Sequence, residues 1–276
     1  NWPMSLDVGV QIKPANAYAS LVYEGRYLNQ LNGDWGTLFD NEFLTRSAYV
    51  LVDNLPYATY AMAGIFRPMF GTFNPDHETV AQRLSGLTAR TTYKGASIGG
   101  SPNVPFFNVS VIGPYSETEG PQDEGFVVNL GGRFVTYGAS VQLSYWSTKA
   151  PNDLDIELKK NMYSLSVGAQ VKDFTLQSEF LTIEKEFFPG AVDKGVVTTT
   201  EVKYRFYREN YLQLVTSNAN VAYNFKDGYV TENSIGVKSF LYSGLELELM
   251  NTFITDLLND TKSDLNLLKF QMHLYF

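Results

Sequence analysis

The sequence predicts an all-β fold: a transmembrane antiparallel β-barrel of about 16 strands, of which about 15 are visible in this chain. Three observations support this prediction: apolar residues recur at every second position, the alternating segments are long, and their connections alternate between short and long. Because successive side chains of a strand point to opposite faces, a period of two gives each strand one apolar and one polar face. Residues 163–171 show the pattern clearly, with the sequence YSLSVGAQV.

The alternating segments have about 9 to 13 residues, compared with ~5–6 in soluble strands and ~9–11 in tilted membrane-spanning strands. No helical stripe longer than about three turns interrupts them. We predict strands that start near Met4, Tyr18, Leu44, Tyr57, Thr91, Val104, Gly125, Tyr137, Lys160, Asp173, Val197, Asn210, Tyr229, Tyr242 and Leu265.

The connections between these segments separate into two classes. The short ones fall at residues 13–16, 54–56, 134–136, 172–173, 207–210 and 241–243. The long ones fall at residues 28–43, 68–89, 114–124, 148–157, 187–194 and 255–264. Short turns at one end and long loops at the other are typical of outer-membrane barrels.

Aromatic residues cluster near the predicted strand ends, as at residues 204–211 and 223–229, where the aromatic girdles of a membrane barrel lie. A soluble all-β protein is the alternative. Its filled core would need an apolar inward face on every strand, whereas nearly every segment here has a polar face.

Composition excludes several classes of protein. The 276 residues include no Cys, which excludes thiolate metal sites, disulfides and cysteine catalysis. The net charge of -8 argues against a nucleic-acid partner. Charged residues make up only 18% of the chain, yet no window approaches the ~18 consecutive apolar residues of a transmembrane helix.

The end of the chain resembles the signal that the bacterial barrel-assembly machinery reads, a terminal Phe preceded by apolar residues at every second position. Phe276, Leu274, Met272 and Phe270 fill these positions. The resemblance implies that the chain lies in the outer membrane of a Gram-negative bacterium, with membrane lipids, lipopolysaccharide and the assembly machinery as partners.

Residues 64–71, GIFRPMFG, resemble the Gly-x-Phe-basic-x-x-Phe-Gly stretch of the phosphate-selective-type, sixteen-stranded porins. In that family the stretch ends the strand before an inward-folded third loop, and residues 68–89 form the longest predicted loop here. The resemblance implies that this loop folds into the lumen and forms the constriction. Unlike that family, this chain has no obvious arginine or lysine ladders. The candidate constriction residues are Arg67, Arg83, Arg90, Asp76 and Glu78.

We expect residues 1–276 to form a single barrel domain. The last strand of such a barrel ends in the periplasm, which places the short turns there and makes the first visible strand run inward from outside. Bacterial single-chain barrels have even strand numbers. We therefore expect one additional N-terminal strand, with an odd count or an over-divided strand as the alternative.

The polar face of each predicted strand lines the interior, which in a barrel of about sixteen strands is an aqueous channel. The basic lumen residues are Lys13, Arg26, Arg133, Lys172, Lys203, Arg205, Lys238 and Lys269. The acidic ones are Asp7, Glu24, Glu179, Glu201, Glu232, Glu246 and Glu248. This near balance predicts weak charge selectivity of the wall. Opposed charges on the inward loop would add a transverse field, whereas a solvated outer loop with ordinary surface charges would not.

No enzyme, metal or cofactor is expected. The two His residues are His77 and His273, and the chain has no Gly-x-Ser-x-Gly elbow. Asp76, His77 and Glu78 are adjacent in sequence, so their side chains diverge instead of converging on one ion.

The resulting hypothesis is a passive outer-membrane porin for small hydrophilic solutes or ions, with a slight lean to anions that comes from the family resemblance. Porins of this size are commonly homotrimers. The main alternative is a scaffold barrel whose lumen holds a lipoprotein, a plug or a cytochrome. A third is a surface adhesin that binds through its Tyr- and Asp-rich loops.

Overall fold

The computed structural model describes residues 2–12, 17–30, 40–72, 80–87, 91–114, 122–151, 157–188, 190–223, 226–242, 245–258 and 261–274. The described strands form one antiparallel sheet of 15 strands, in which each strand pairs with the next along the chain. The predicted all-β antiparallel fold is confirmed.

Each predicted alternating segment corresponds to one observed strand. The strands are β1 (Trp2–Ile12), β2 (Ala17–Gln30), β3 (Asp40–Leu55), β4 (Thr59–Phe66), β5 (Tyr93–Gly100), β6 (Pro105–Gly113), β7 (Glu124–Phe134), β8 (Ala139–Pro151), β9 (Glu157–Val171), β10 (Phe174–Phe188), β11 (Ala191–Tyr207), β12 (Asn210–Tyr223), β13 (Lys226–Tyr242), β14 (Leu245–Leu258) and β15 (Thr261–Leu274). The helix α1 (Val80–Ser85) lies between β4 and β5, and single 3-10 turns at Pro56–Ala58 and Val135–Tyr137 join β3 to β4 and β7 to β8. No helix in the described ranges is long and apolar enough to cross a membrane.

The prediction of long loops at residues 187–194 and 255–264 is wrong, because strand pairing extends into both segments, as far as Phe188 with Ala191 and Leu258 with Thr261. Their polar side chains face each other across the ladder instead of entering a loop. Glu184 forms a 2.8 Å ion pair with Lys194, and the Thr255 hydroxyl donates to Asp264 at 2.9 Å. The longest connection is residues 67–92, between β4 and β5, and the next is residues 114–123, between β6 and β7.

The sheet curves around an interior. Helix α1 follows β4 directly in sequence but contacts β11 and β12, and the chain just after β4 bonds to β8, β9 and β10. A flat sheet would hold these strands far apart. The described parts of the loop predicted at residues 68–89 therefore lie against the inner face, as predicted.

Where side chains are described, the register separates an outer from an inner face of the sheet, since directly paired residues share a face. Leu143 pairs with Leu165, and both are exposed on the outer face. The neighbouring pair, Ser144 with Ser164, is buried on the inner face. The polar positions of the sequence pattern therefore face the interior of this part of the sheet.

Two groups of outer-face aromatic rings lie at different heights. Phe174 stacks on Tyr204 at 4.6 Å near the short connections, and Tyr145 stacks on Tyr163 at 4.9 Å toward the long ones. Tyr163 pairs with Thr182, eight residues beyond Phe174 on β10. Eight residues span about 26 Å along a strand, or roughly 20 Å along the normal of a barrel tilted by ~40°. This separation matches the apolar band of a membrane barrel, about 25 Å tall.

The final strand carries part of the proposed assembly signal on its outer face. Phe270 and Met272 are exposed there and pair with Leu249 and Leu247. Leu274 ends β15, and Phe276 lies outside the described residues. Recognition by the assembly machinery and the additional N-terminal strand both stay predictions.

The two faces of β10 make a direct test of this orientation, because the chain has no native Cys. Leu176 is exposed on the outer face, and the adjacent Gln177 lies on the inner face. In lipid bilayers, we expect a spin label at Leu176→Cys to collide with oxygen dissolved in lipid. A label at Gln177→Cys should instead collide with a water-soluble nickel complex, as measured by power-saturation EPR. Equal accessibilities at the two sites would contradict the assignment.

Candidate functional site

The inward loop, defined as residues 67–92, is the feature that shapes the interior. Its described parts are residues 67–72, 80–87 and 91–92. Three sets of contacts attach it to the inner wall: hydrogen bonds at Gly71 and Thr72, an apolar contact under α1, and lysines at the end of α1.

The first attachment joins Gly71 and Thr72 to β8, β9 and β10. The Gly71 N–H donates to the Ser144 hydroxyl at 3.0 Å, and its carbonyl accepts from the Gln142 amide at 2.8 Å. The Thr72 N–H donates to a Glu179 carboxylate oxygen at 3.0 Å. Both backbone groups of Gly71 and the N–H of Thr72 are therefore satisfied by wall side chains.

Glu179 is the centre of this attachment. It is 8% exposed, and its Oε1 also accepts from the Ser164 hydroxyl at 2.6 Å. Gly71 has φ of 57°, in the left-handed region that favours glycine, and a Cβ here would collide with the Glu179 carboxylate. A glycine is therefore required for this approach of loop to wall.

The second attachment is apolar. In α1 and its flank, Val80, Ala81 and Leu87 are buried. The facing side chains of the inner wall are also apolar, and they form one cluster with the loop: Val127, Trp146, Met162, Leu181, Ile183, Val197 and Ala219. Removing this surface from water stabilises the docked loop.

Trp146 lies at the centre of this cluster and is fully buried. Phe70 of the loop meets its ring edge-to-face at 5.8 Å, and Tyr93 of β5 does so at 5.3 Å. The Tyr93 hydroxyl donates to Asp123 at 3.0 Å. The same cluster therefore holds both long connections, 67–92 and 114–123.

The third attachment is at the carbonyl end of α1. Lys160 donates to the Ser85 carbonyl at 2.7 Å, and Lys185 donates to the Leu84 carbonyl at 3.2 Å. Cations are favourable at a helix C-terminus, where carbonyls lack intrahelical partners. These two lysines on neighbouring strands therefore bind the end of α1 to the wall.

Of the predicted constriction residues, Arg67 is the one whose side chain is described. It donates to the Leu87 carbonyl at 2.9 Å, so it bridges the two ends of the loop. Arg83 lies in α1 with its side chain outside the described part, and Asp76, Glu78 and Arg90 lie outside the described residues. The transverse field of opposed charges stays a prediction.

The predicted lumen charges with described side chains are concentrated on β11 to β15, where they form pairs. Glu201 forms an ion pair with Lys203, with 3.0 Å between the carboxylate oxygen and Nζ, and it accepts a hydrogen bond from the Gln213 amide. The Lys238 Nζ lies 2.7 Å from Glu246 Oε1 and 3.7 Å from Glu248 Oε2.

Several other predicted lumen charges lie at the edge of this group or outside it. Lys269 is 3.9 Å from Glu232. Arg205 binds Asp173 of the β9–β10 turn at 2.8 Å, and Arg133 lies on β7 over the ring of Phe106. Glu24 and Arg26 lie on β2 with side chains outside the described part.

The inner face of β4 to β10 carries few charges and many hydroxyls and amides. On β4 to β6, Asn108 donates to Tyr60 at 2.8 Å and to Ser97 at 2.7 Å, and Ser110 bonds to both Ser97 and Asn108. Below Gly71 and Thr72 this face borders a cavity of about 470 Å³ that reaches the short-connection end of β7 to β10. The interior thus has a neutral polar side and a charged side.

Sequence reasoning missed the apolar inner patch and the lysines below α1. The sequence does contain a signal for the apolar patch. Inner-face positions that are polar along most of each strand become apolar at one height of the sheet. On β8, Ser144 is followed by Trp146, and on β9, Ser164 is preceded by Met162. The same step from polar to apolar recurs on β10 to β12 at Leu181, Val197 and Ala219.

The described side chains contain no group of three or more His, Cys, Asp or Glu residues that could hold a metal ion. His77 lies outside the described residues, and the side chain of His273 is not described.

Comparison with known proteins gives structural matches only. No protein-family model matches the chain, and no curated protein matches it by sequence. The solved structures include OmpF of Salmonella typhi in complex with daunomycin, with a TM-score of 0.70 and 12% identity over 98% of this chain and 89% of that one.

Two further structures match at similar levels. The anion-selective porin from Comamonas acidovorans has a TM-score of 0.66 and 10% identity, over 92% of this chain and 78% of that one. OmpT, an outer membrane protein of Vibrio cholerae in its trimer form, has a TM-score of 0.66 and 10% identity, over 99% and 97%. The chain therefore has the fold of outer-membrane porins, and the phosphate-selective type stays a prediction.

The attachment at Glu179 makes a quantitative prediction. Glu179→Ala leaves the Thr72 N–H and the Ser164 hydroxyl without this acceptor, which costs about 1–3 kcal/mol for buried groups. We expect the free energy of unfolding, from urea titration in lipid vesicles, to fall by this amount, and residues 67–92 to become easier to cleave with protease.

Glu184 is the matched control, because it lies on the same strand in an ion pair with Lys194 that is largely exposed. Glu184→Ala should leave both measurements almost unchanged. Equal behaviour of the two variants would contradict the role given to Glu179.

Proposed function

We propose that this chain is a passive porin of the Gram-negative outer membrane, through which small hydrophilic solutes and ions diffuse down their gradients. The observation that carries the proposal is the inward loop attached to one side of the interior while the cavity of about 470 Å³ stays open below it. A loop in this position narrows a water-filled interior without filling it.

Weak charge selectivity follows from the pairing of the described wall charges. The ammonium groups of Lys203 and Lys238 lie within 3.0 Å of carboxylates, so much of their field is cancelled at the scale of a passing ion. We propose that the loop charges Arg83, Arg90, Asp76 and Glu78 set the remaining preference at the constriction.

The position of the inward loop is also relevant to the alternative in which the lumen holds a partner protein. A barrel that holds a partner protein needs a continuous free lumen, whereas here the chain's own loop covers the inner face of β8 to β12. This favours the porin over a barrel filled by a lipoprotein, a plug or a cytochrome. The absence of catalytic activity is part of the same proposal.

The outer face supports the proposed environment. Its exposed leucine, valine and phenylalanine side chains, such as Leu130, Leu143 and Phe180, suit contact with lipid. The trimer form of the Vibrio cholerae protein supports a homotrimer here too, with lipid and lipopolysaccharide around it.

Single-channel recording in planar bilayers tests the proposal. We expect stepwise ohmic conductance from the purified protein, with a reversal potential close to zero under a salt gradient. Modification of Gln177→Cys by a cationic methanethiosulfonate should lower the conductance, because the side chain faces the water-filled interior. The same reagent on Leu176→Cys, which faces lipid, should have no effect.

A correctly folded protein that conducts no current would contradict the porin. A second polypeptide that copurifies at equal stoichiometry with such a silent protein would favour the scaffold instead.

A further inference from the structure

The cavity below the inward loop has the properties of a solute-binding site. It lies between Met69–Thr72 of the loop and the inner face of β6 to β10. Its volume of about 470 Å³ falls within the roughly 300–1,000 Å³ of small-molecule sites. Any solute that passes along this side of the interior crosses it.

Most of the polar lining is neutral and can both donate and accept hydrogen bonds. These side chains are Asn129, Ser140, Gln142, Gln170, Thr175 and Gln177. No carboxylate lies among the described residues that line the cavity, which contrasts with the paired Glu and Lys residues on β11 to β15. This lining suits hydroxyl groups, and its described part provides no carboxylate for a metal cation.

Arg133 is the one charged side chain in the described lining. Its guanidinium lies over the ring of Phe106, 4.8 Å from the centroid. Phe106 pairs directly with Gly131, where any side chain would collide with the ring. The glycine therefore lets the ring lie over the neighbouring strand, where the guanidinium contacts its face.

The positive charge of Arg133 has no carboxylate partner within the described part of the chain, unlike that of Arg205, which binds Asp173. A planar guanidinium held in place by an aromatic ring matches a carboxylate in two parallel hydrogen bonds. It therefore supplies one anion-binding group at the edge of a neutral, hydroxyl-binding surface.

We propose that this cavity is a binding site for hydroxylated monocarboxylates of the sugar-acid class. Arg133 binds the carboxylate, and the amides and hydroxyls of β7 to β10 bind the solute hydroxyls. The inference rests on the proposed porin function and specifies a solute that the channel retains briefly during passage.

The site has two parts, the Arg133 guanidinium and the neutral lining of amides and hydroxyls, and each part contributes to selectivity among solutes. A neutral sugar would use the amides but leave the guanidinium without its anion. A short aliphatic acid would pair with Arg133 but leave the polar lining unmatched, which polar sites penalise strongly. A sugar acid satisfies both parts.

The test measures how strongly each of three solutes blocks the single-channel current in KCl. The solutes are glucuronate, glucose and butyrate. Glucose lacks the carboxylate, and butyrate lacks the hydroxyls. We expect the half-blocking concentration of glucuronate to be at least about tenfold lower than that of either other solute, the size expected for one charge-assisted contact. Similar values for all three solutes would overturn the proposal.

Variants locate the site. Arg133→Gln should raise the half-blocking concentration of glucuronate about tenfold, toward that of glucose. Gln177→Leu should weaken glucuronate block and leave butyrate block unchanged. Arg205→Gln is the matched control, since Arg205 is an exposed arginine outside the cavity lining, and it should leave block unchanged.

Equal effects of Arg133→Gln and Arg205→Gln would overturn the assignment of the site, because they would indicate a general change in surface charge. Conductance in KCl alone separates the two proposals. A channel that conducts but shows no selective block by glucuronate refutes the binding site and leaves the porin standing, whereas a silent protein refutes the porin.

Discussion

The separation of an inner from an outer face on each strand is the constraint on which the rest of the structure depends. Leu143 pairs with Leu165 toward the outside, and Ser144 pairs with Ser164 toward the interior. A slip of one residue would exchange the two sets, placing leucine in the interior and serine on the outer face. The same register aligns Gln142, Ser166 and Glu179 on three adjacent strands, so the surface that receives Gly71 and Thr72 is a consequence of the pairing.

The inward loop combines apolar packing with directional hydrogen bonds, and the two kinds of contact have different effects. The apolar cluster around Trp146 stabilises the contact but is non-directional. The hydrogen bonds at Thr72 and the lysines at the end of α1 depend on direction and so define where the loop lies. The attached loop leaves a neutral polar cavity on one side of the interior, and the paired charges on β11 to β15 lie on the other.

The fold was predictable because alternation is a local property of the chain and repeats along every strand. The inward direction of residues 67–92 came from the resemblance at residues 64–71, since no local pattern shows where a loop turns. The groups that hold the loop were not predictable from one sequence. Lys160 and Lys185 look like ordinary strand charges until the curved sheet brings them to the carbonyls of Leu84 and Ser85.

A disulfide between loop and wall is the most direct test of whether the proposed channel conducts with its loop attached. The hydroxyls of Thr72 and Ser166 are 2.9 Å apart, and the chain contains no other cysteine to interfere. The double variant Thr72→Cys/Ser166→Cys should form the disulfide and show the same single-channel conductance before and after reduction. Failure of the disulfide to form would contradict the contact of Thr72 with the wall, and a severalfold rise in conductance on reduction would contradict conduction with the loop attached.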